Sequence, residues 1–210
     1  MSELVFTTEL LRQAAGRQQS MAMDGGSDEA LAERVRVSGD RAAFALLVTR
    51  YRGRVVVLAR RMLAAGSADE AEDVAQETFL AAYAKRGSYG CGLPFRPWLY
   101  RIAVNRCLDR LRAESRRPAL LRWDSLPEPT ASAEADPLDA LLADEGERYL
   151  GVAVAALPPK LRAVFLLRHL DALSYDEIGA ATGVPVSTVK THLFRARALL
   201  RAALSEYLDR

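Results

Sequence analysis

The chain has 210 residues, of which half are hydrophobic and 27% are charged, with 29 Lys and Arg against 27 Asp and Glu. This length allows one average domain or two small ones, and the apolar half is enough for a core, which excludes a wholly disordered chain. No stretch approaches the roughly 18 apolar residues of a membrane-spanning helix, and no basic region precedes an apolar run at the start. We therefore expect a cytoplasmic protein with no membrane contact of its own.

The two cysteines and two histidines are too scattered to form a metal site. Cys91, Cys107, His169 and His192 provide no C-x-x-C pair and no H-x₃₋₅-H spacing, and no nucleophile stands at a recognisable spacing from a base. We therefore expect no metal, no cofactor and no catalytic residue. Cys91, in a glycine-rich loop, is a candidate redox sensor, but an ordinary loop thiol is the simpler interpretation.

Residues 28–117 have the periodicity of a helical domain, with apolar side chains at three- and four-residue steps. Before them, residues 1–27 combine a short apolar piece with a polar, glycine-rich stretch, which predicts a variable extension. The predicted helix boundaries are Gly66-Ser67 as the end of the first long helix, Asp69 to about Arg86 for the next, and about Pro97 to Ser115 for the third.

The near-neutral total charge conceals a basic segment beside an acidic one. Residues 85–117 contain nine Lys and Arg and two acids, whereas residues 118–150 contain eight acids and two Arg. Four prolines spread among Ala, Ser and acids in the second segment favour little regular structure. We predict an acidic, flexible linker over residues 118–146.

Residues 147–210 return to helical periodicity and contain the signals of a helix-turn-helix. Ser174 and Glu177 are spaced as a capping box at the start of a short helix, and Gly183 ends that helix. Pro185 suits the first turn of the next helix, since a proline there loses no hydrogen bond. The chain has no strand-like alternation, so the predicted fold class is all-α, with two small helical domains joined by the linker.

The second helix of this motif has an apolar stripe and a basic, polar side. Val189, Leu193, Ala196 and Leu200 recur at steps of three and four, while residues 186–201 include four bases and no acid. Hydroxyls, an imidazole and guanidinium groups at the start of a helix suit base edges and phosphates in a major groove. The alternative interpretation is a solvated basic face on an ordinary bundle helix.

Two segments of the first domain are unusual. Residues 69–79 predict a helix with one apolar and one acidic face, and because phosphate would repel acids, we expect the acidic face to bind protein. Residues 95–112 interleave aromatics with arginines, which suits stacking on unpaired bases while cations follow the backbone. The alternatives are a solvated acidic surface and, for Phe95 and Trp98, ordinary core positions.

Three blocks of the chain resemble the sigma-70 family, specifically its extracytoplasmic-function (ECF) type. Residues 71–83 (AEDVAQETFLAAY) resemble the core-polymerase-binding helix, residues 95–112 (FRPWLYRIAVNRCLDRLR) the −10 melting and recognition segment, and residues 157–201 the −35-reading domain. The resemblance implies a sigma-2-like bundle over residues 28–117 and a sigma-4-like helix-turn-helix domain over residues 147–210. It implies a transcription initiation factor that binds the β′ and β subunits of RNA polymerase core, reads −35 and −10 promoter elements, nucleates promoter melting and is controlled by an anti-sigma factor.

The resemblance also implies roles for individual residues, and it puts the loop before the −10 segment where ECF factors capture an extruded base. The implied polymerase-binding residues are Asp69, Asp73, Gln76, Glu77 and Phe79. The implied −10 contacts are Phe95, Trp98, Tyr100, Arg101, Asn105, Asp109 and Arg112. The implied −35 contacts are Ser187, Thr188, Lys190, Thr191, His192, Phe194, Arg195 and Arg197.

Three positions depart from the family pattern. Leu99 stands where primary sigma factors carry a second tryptophan, which implies weaker melting and stricter promoter choice. His192 stands where arginine is common, and Pro185 replaces the usual serine cap.

The competing hypothesis is an autonomous regulator, in which the helix-turn-helix binds an operator as a dimer and the N-terminal helices sense a ligand or a partner.

Overall fold

The computed structural model describes residues 26–64, 67–90, 93–114 and 146–208. Within these ranges the chain forms eight α-helices, one 3₁₀ turn and no β-strand, which confirms the all-α fold class. The elements are α1 (Asp28–Ser38), α2 (Arg41–Leu63), α3 (Ala68–Ala84), the 3₁₀ turn (Arg86–Ser88), α4 (Phe95–Glu114), α5 (Gly146–Ala156), α6 (Pro159–Leu170), α7 (Tyr175–Thr182) and α8 (Val186–Leu208). Nearly all of the predicted extension and of the predicted linker lies outside the described residues.

Short polar side chains fix the starts of the first two helices. The Ser27 hydroxyl accepts a hydrogen bond from an amide in the first turn of α1, and the Asp40 carboxylate accepts from two amides in the first turn of α2. Between them Gly39 adopts a left-handed conformation, with φ of 66°. This glycine therefore ends α1 and turns the chain into α2.

Two predicted helix boundaries shift by a few residues. Helix α2 ends at Leu63, before the predicted stop, and Ser67 instead caps α3 by accepting a hydrogen bond from the amide of Glu70. Helix α4 starts at Phe95 rather than at Pro97. Pro97 lies in the first turn of α4. Backbone N–H groups in the first turn have no carbonyl partner within the helix, so the proline loses no hydrogen bond there and the helix can start ahead of it.

Helix α2 is the centre of the first helical bundle, because it packs against α1, α3 and α4. Leu99, at the departure from the family pattern, is fully buried and is a core residue. Other fully buried large side chains of this bundle are Leu31, Leu47, Leu58, Met62 and Val74. Burying each such aliphatic side chain contributes about 1.5–3 kcal/mol, so this core holds α2, α3 and α4 in fixed register.

The predicted apolar stripe of the last helix is confirmed. Val189, Leu193, Ala196 and Leu200 are at most 3% exposed, and α8 packs through them against α6 and α7. The stripe leaves the opposite side of the helix outside the core. That side carries the polar and basic residues singled out above.

The predicted capping box and turn are also confirmed. The amide of Ser174 donates to the Glu177 carboxylate at 2.8 Å, and the amide of Glu177 donates to the Ser174 hydroxyl at 3.2 Å. Gly183 ends α7 in a left-handed conformation, with φ of 75°. Pro185 lies just before α8 rather than inside its first turn, and its carbonyl accepts the hydrogen bond from Val189 that opens the helix.

The two helical halves lie against each other, with α7 on α4 and α6 on α2. Arg96 of α4 lies 3.4 Å from the Glu177 carboxylate of α7. Arg54 of α2 lies 3.4 Å from the carboxylate of Asp171, at the end of α6. The segment resembling a −10 reader and the helix-turn-helix are therefore direct neighbours in this structure.

Candidate protein and nucleic-acid interfaces

An open groove of about 800 Å³ runs between α2 and α3. Three aromatic rings form its floor: Phe44 packs edge-on against Phe79 at 6.4 Å and tilted against Tyr83 at 5.0 Å, measured between ring centroids. Leu80 lies on its rim and is 64% exposed. The remaining lining residues are Arg41, Val48, Arg52, Glu72, Ala75, Gln76 and Ala84. A mostly apolar groove with charged edges suits an amphipathic helix of another protein.

Two of the five residues predicted to bind polymerase, Gln76 and Phe79, line this groove. Asp69, Asp73 and Gln76 are exposed on α3, and Phe79 is 7% exposed with its ring in the groove floor. Glu77 instead turns toward α4, where it accepts a hydrogen bond from Arg110 at 2.6 Å. This hydrogen bond raises the pKa of the Arg110 guanidinium. Glu77 is thus partly neutralised within the chain, and of the predicted polymerase-binding set only Asp69 and Asp73 remain as outward-facing acids, with Gln76 exposed beside them.

Sequence reasoning found only Gln76 and Phe79 of this groove and missed the rest of its lining, of which Leu80 carried a readable signal. Leu80 follows Gln76 by four positions and Asp73 by seven, which puts an apolar side chain at the end of a polar helix face. A lone exposed leucine is ordinary, but Leu80 adjoins the groove and extends its apolar surface, and a continuous apolar patch is typical of a binding site. Phe44 and Tyr83 gave no signal of this kind, because only the packing of α2 on α3 brings their rings together.

A second cavity, of about 430 Å³, lies along α4. It brings together four of the seven residues predicted to read the −10 element, at steps of three and four along one helix face. These residues are Trp98, Arg101, Asn105 and Asp109. Lys85, Ser88, Ile102 and Arg106 complete the lining. An aromatic ring, an amide, a carboxylate and three cations around one cavity match the chemistry of an unstacked nucleotide.

The ring of Trp98 is held by two buried aromatic residues. Its centroid lies 5.5 Å from that of Tyr89 and 5.7 Å from that of Phe95. Trp98 itself is only partly buried, so part of its ring faces the cavity. The ring is therefore fixed in place before any nucleotide arrives.

Three of the residues predicted for −10 contact lie outside the cavity lining. Phe95 is 2% exposed and Tyr100 is fully buried, so these rings belong to the core in this structure and cannot stack on bases. The alternative interpretation of Phe95 as a core residue is therefore the correct one. Arg112 is exposed one turn beyond the cavity and pairs with Asp109 at 2.9 Å.

The first half of α8 presents the side chains predicted to read the −35 element. Ser187, Lys190 and Phe194 are exposed, the last at 41%. The partly buried members of the set are Thr188, Thr191, His192, Arg195 and Arg197. In a helix-turn-helix motif, the second helix contacts DNA through residues near its start. Here that part of the helix carries hydroxyl, ammonium and guanidinium donors.

His192, the departure from the family's arginine, is electrically neutral at physiological pH. Burial lowers its pKa from the ordinary value of 6.5, and the nearby cations Arg195 and Lys160 lower it further. Its Nδ1 is buried without a hydrogen-bond partner among the described residues. The imidazole therefore cannot replace the positive charge of an arginine and contributes a neutral ring to this surface.

The one cysteine among the described residues, Cys107, is not a reactive thiol. Cys107 is fully buried, and burial raises its pKa to about 12, so it is an unreactive core thiol. Cys91 lies outside the described residues.

The described part of the chain also contains no cluster of His, Cys, Asp and Glu suited to a metal ion. Among helices in residues 26–64, 67–90, 93–114 and 146–208, none has the length and apolar character needed to cross a bilayer.

Comparison with known proteins identifies the family. Residues 47–117 match the family described as Sigma-70 region 2, and residues 147–200 match Sigma-70, region 4. The ECF RNA polymerase sigma-E factor of Escherichia coli (strain K12) is 37% identical over 177 residues, which cover 81% of this chain and 91% of that protein. The RNA polymerase sigma-H factor of Pseudomonas aeruginosa is 38% identical over 189 residues, covering 86% and 95%. The structure of CnrH in complex with the cytosolic domain of CnrY matches with a TM-score of 0.62 at 30% identity, covering 85% of this chain and 97% of CnrH. The chain therefore belongs to the sigma-70 family, as an RNA polymerase sigma factor of the ECF type.

Proposed function

We propose that this sigma factor docks on RNA polymerase core through the groove between α2 and α3. Gln76 and Leu80 line the groove, and Asp69 and Asp73 are exposed at earlier turns of the same helix. An amphipathic helix of the polymerase would bury Leu80 and meet the acidic residues with its own cations. The family resemblance names the clamp helices of the β′ subunit as that partner.

The −10 element is read as an unpaired strand in the cavity along α4. Four residues implied by the resemblance converge there on one base-sized space, and this convergence is the observation that carries the proposal. Trp98 supplies a stacking surface, while Asn105 and Asp109 supply hydrogen-bonding groups for base edges. Lys85 and Arg106 supply positive charge for the phosphates.

The −35 element is read as duplex DNA by the first half of α8. Lys190 and Arg195 supply cations for phosphates or guanine edges, and Ser187 supplies a hydroxyl near the helix N-terminus. Phe194 supplies an apolar surface suited to a thymine methyl group. His192 contributes hydrogen bonding without charge at this surface.

Control by an anti-sigma factor and a cytoplasmic location complete the proposal. CnrH, a structural relative at 30% identity, is known in complex with the cytosolic domain of CnrY. For this chain, the family resemblance implies an anti-sigma factor as a protein partner. We propose a cytoplasmic location because promoter-directed initiation requires access to chromosomal DNA and RNA polymerase. We further propose the domain limits given above, with residues 1–27 as an extension and residues 118–146 as the tether.

In vitro transcription with bacterial core polymerase on a pool of genomic promoter fragments tests this proposal. Wild type is expected to give discrete start sites. Asp73→Arg/Gln76→Ala should lose polymerase binding yet keep a folded helix-turn-helix, whereas Lys190→Ala/Arg195→Ala should keep polymerase binding and lose dependence on the −35 element. Each double variant is thus the control for the other.

The opposite outcome is equally specific. If no transcript forms and the protein alone shifts duplex DNA as a dimer, the polymerase role is wrong. The autonomous regulator would then be the correct function.

A further inference from the structure

We propose that Arg110 competes with RNA polymerase for the acidic side chains of α3, so that this one cation lowers the affinity of the sigma factor for core polymerase. This inference rests on the proposed docking of core polymerase on α3. In the free chain Arg110 holds Glu70 and Glu77, and a docking partner that uses their charge must draw them away from it.

The guanidinium of Arg110 joins α4 to α3. Its Nη2 donates to the Glu77 carboxylate at 2.6 Å, and its Nη1 lies 3.8 Å from the carboxylate of Glu70. The hydrogen bond to Glu77, and then the charges of Glu77, Glu70 and Asp73, raise the pKa of this guanidinium. Arg110 is therefore attracted by three acids of the proposed docking helix at once.

These three acids belong to the surface that a polymerase helix would approach. Glu70, Asp73 and Glu77 follow one another at steps of three and four, so they lie on one side of α3. Asp73 is exposed, whereas the side chains of Glu70 and Glu77 are 24% and 42% exposed beside Arg110. Cations of a docked polymerase helix and the guanidinium of Arg110 would therefore be attracted to the same carboxylates.

The ion pair is open enough to be exchanged for another. The side chain of Arg110 is 31% exposed and that of Glu77 is 42% exposed, so water reaches both. Because water and salt screen such a pair, it changes an equilibrium constant by at most about fivefold. Breaking it also leaves no fully buried charge without a partner. Docking can therefore displace Arg110, and the lost ion pair lowers the affinity by a small, measurable factor.

The packing of α3 on α4 does not depend on this ion pair. Ala71 and Val74 of α3 and Cys107 of α4 are fully buried, and they belong to one apolar core. Arg110 lies at the edge of that core, where its side chain is still partly exposed. Neutral substitutions of Arg110 should therefore leave the two helices packed, so that their effect on polymerase binding can be measured in a folded protein.

Titration of the fluorescently labelled, full-length protein with core polymerase tests the competition. Arg110→Met removes the charge and the hydrogen-bond donors but keeps an unbranched side chain. We expect it to lower the Kd for core polymerase about three- to fivefold, because no ion pair then has to be broken on docking. Arg110→Lys keeps the positive charge and should bind nearly as wild type does. The gain of Arg110→Met should shrink at high salt, since salt screens the pair that it removes.

Three further variants separate local competition from other effects. Arg34→Met also removes one cation from an exposed ion pair, with Asp40 and outside α3, and should leave the Kd unchanged. Arg110→Gln is a second neutral variant and should tighten binding as Arg110→Met does. In a Glu70→Gln/Glu77→Gln background, Arg110→Met should give no gain, because the carboxylates that it would release are absent. Thermal unfolding checks that each variant is folded.

Binding by Arg110→Met and Arg110→Gln that is equal to or weaker than that of wild type would overturn the competition. A gain that persists in the Glu70→Gln/Glu77→Gln background would overturn it as well. In both cases the proposed docking stands if Asp73→Arg/Gln76→Ala still loses polymerase binding. If that double variant binds as wild type does, the docking surface itself is wrong, and competition at α3 is excluded with it.

Discussion

Truncating Leu80 to alanine is expected to weaken polymerase binding without weakening the fold. The side chain is 64% exposed on the rim of the groove, so a docked helix removes most of it from water for the first time. Burying a whole leucine side chain contributes about 1.5–3 kcal/mol, and the exposed fraction of that is about 1–2 kcal/mol. The dissociation constant for core polymerase should therefore rise about 5- to 30-fold.

Titration of fluorescently labelled protein with core polymerase measures this change. Thermal unfolding of the same variant should differ little from wild type, because surface substitutions usually shift stability by less than about 0.5 kcal/mol. Val37→Ala is the matched control, since Val37 is a 70% exposed aliphatic residue on α1, outside the groove. If Leu80→Ala binds core polymerase as tightly as wild type does, the groove is not the docking site and the argument from its exposed rim is wrong.

Three further outcomes are expected. Trp98→Ala should weaken binding to a single-stranded −10 oligonucleotide by about tenfold, because stacking contributes about 1–3 kcal/mol per base, and unchanged fluorescence anisotropy would exclude stacking there. Lys190→Ala should weaken binding of the polymerase complex to −35 duplexes of any sequence and reduce the slope of log affinity against log salt by about 1, whereas an unchanged slope would exclude a phosphate contact. His192 has a lowered pKa in the folded state, so below its unfolded value near 6.5 the unfolded chain binds the extra proton. Wild type should therefore lose melting temperature more steeply than His192→Gln as pH falls through that region, and parallel pH profiles would contradict this.

The elements predicted well from sequence are those set by local interactions. The capping box joins Ser174 to Glu177 within one helical turn, and Gly183 meets the left-handed requirement of its own position. The apolar stripe of α8 depends only on the helical period. Each of these features is complete within a few residues, so no knowledge of the tertiary fold was needed.

The distribution of aromatic residues between core and surface was not predictable from spacing. Helix α4 is packed by α2, α3 and α7, so buried positions occur on several of its faces and no single stripe separates core from surface. Tyr100 is buried partly by Asp171, more than seventy positions later in the chain. The surroundings of this ring thus come from both halves of the chain, Tyr51 and Arg54 from the first and Asp171 from the second, and helical spacing alone does not predict them.

Helix α4 serves two competing surfaces, and its sequence reflects both. One side carries Trp98 and Asn105 toward the cavity, and the adjoining side carries Arg96 and Tyr100 toward the helix-turn-helix. Arg101 lies at the border, in the cavity lining and beside the turn at once. Because a basic helix surface attracts either phosphate or carboxylate, the charges on α4 that suit promoter DNA also suit the carboxylate of Glu177, which Arg96 contacts at 3.4 Å.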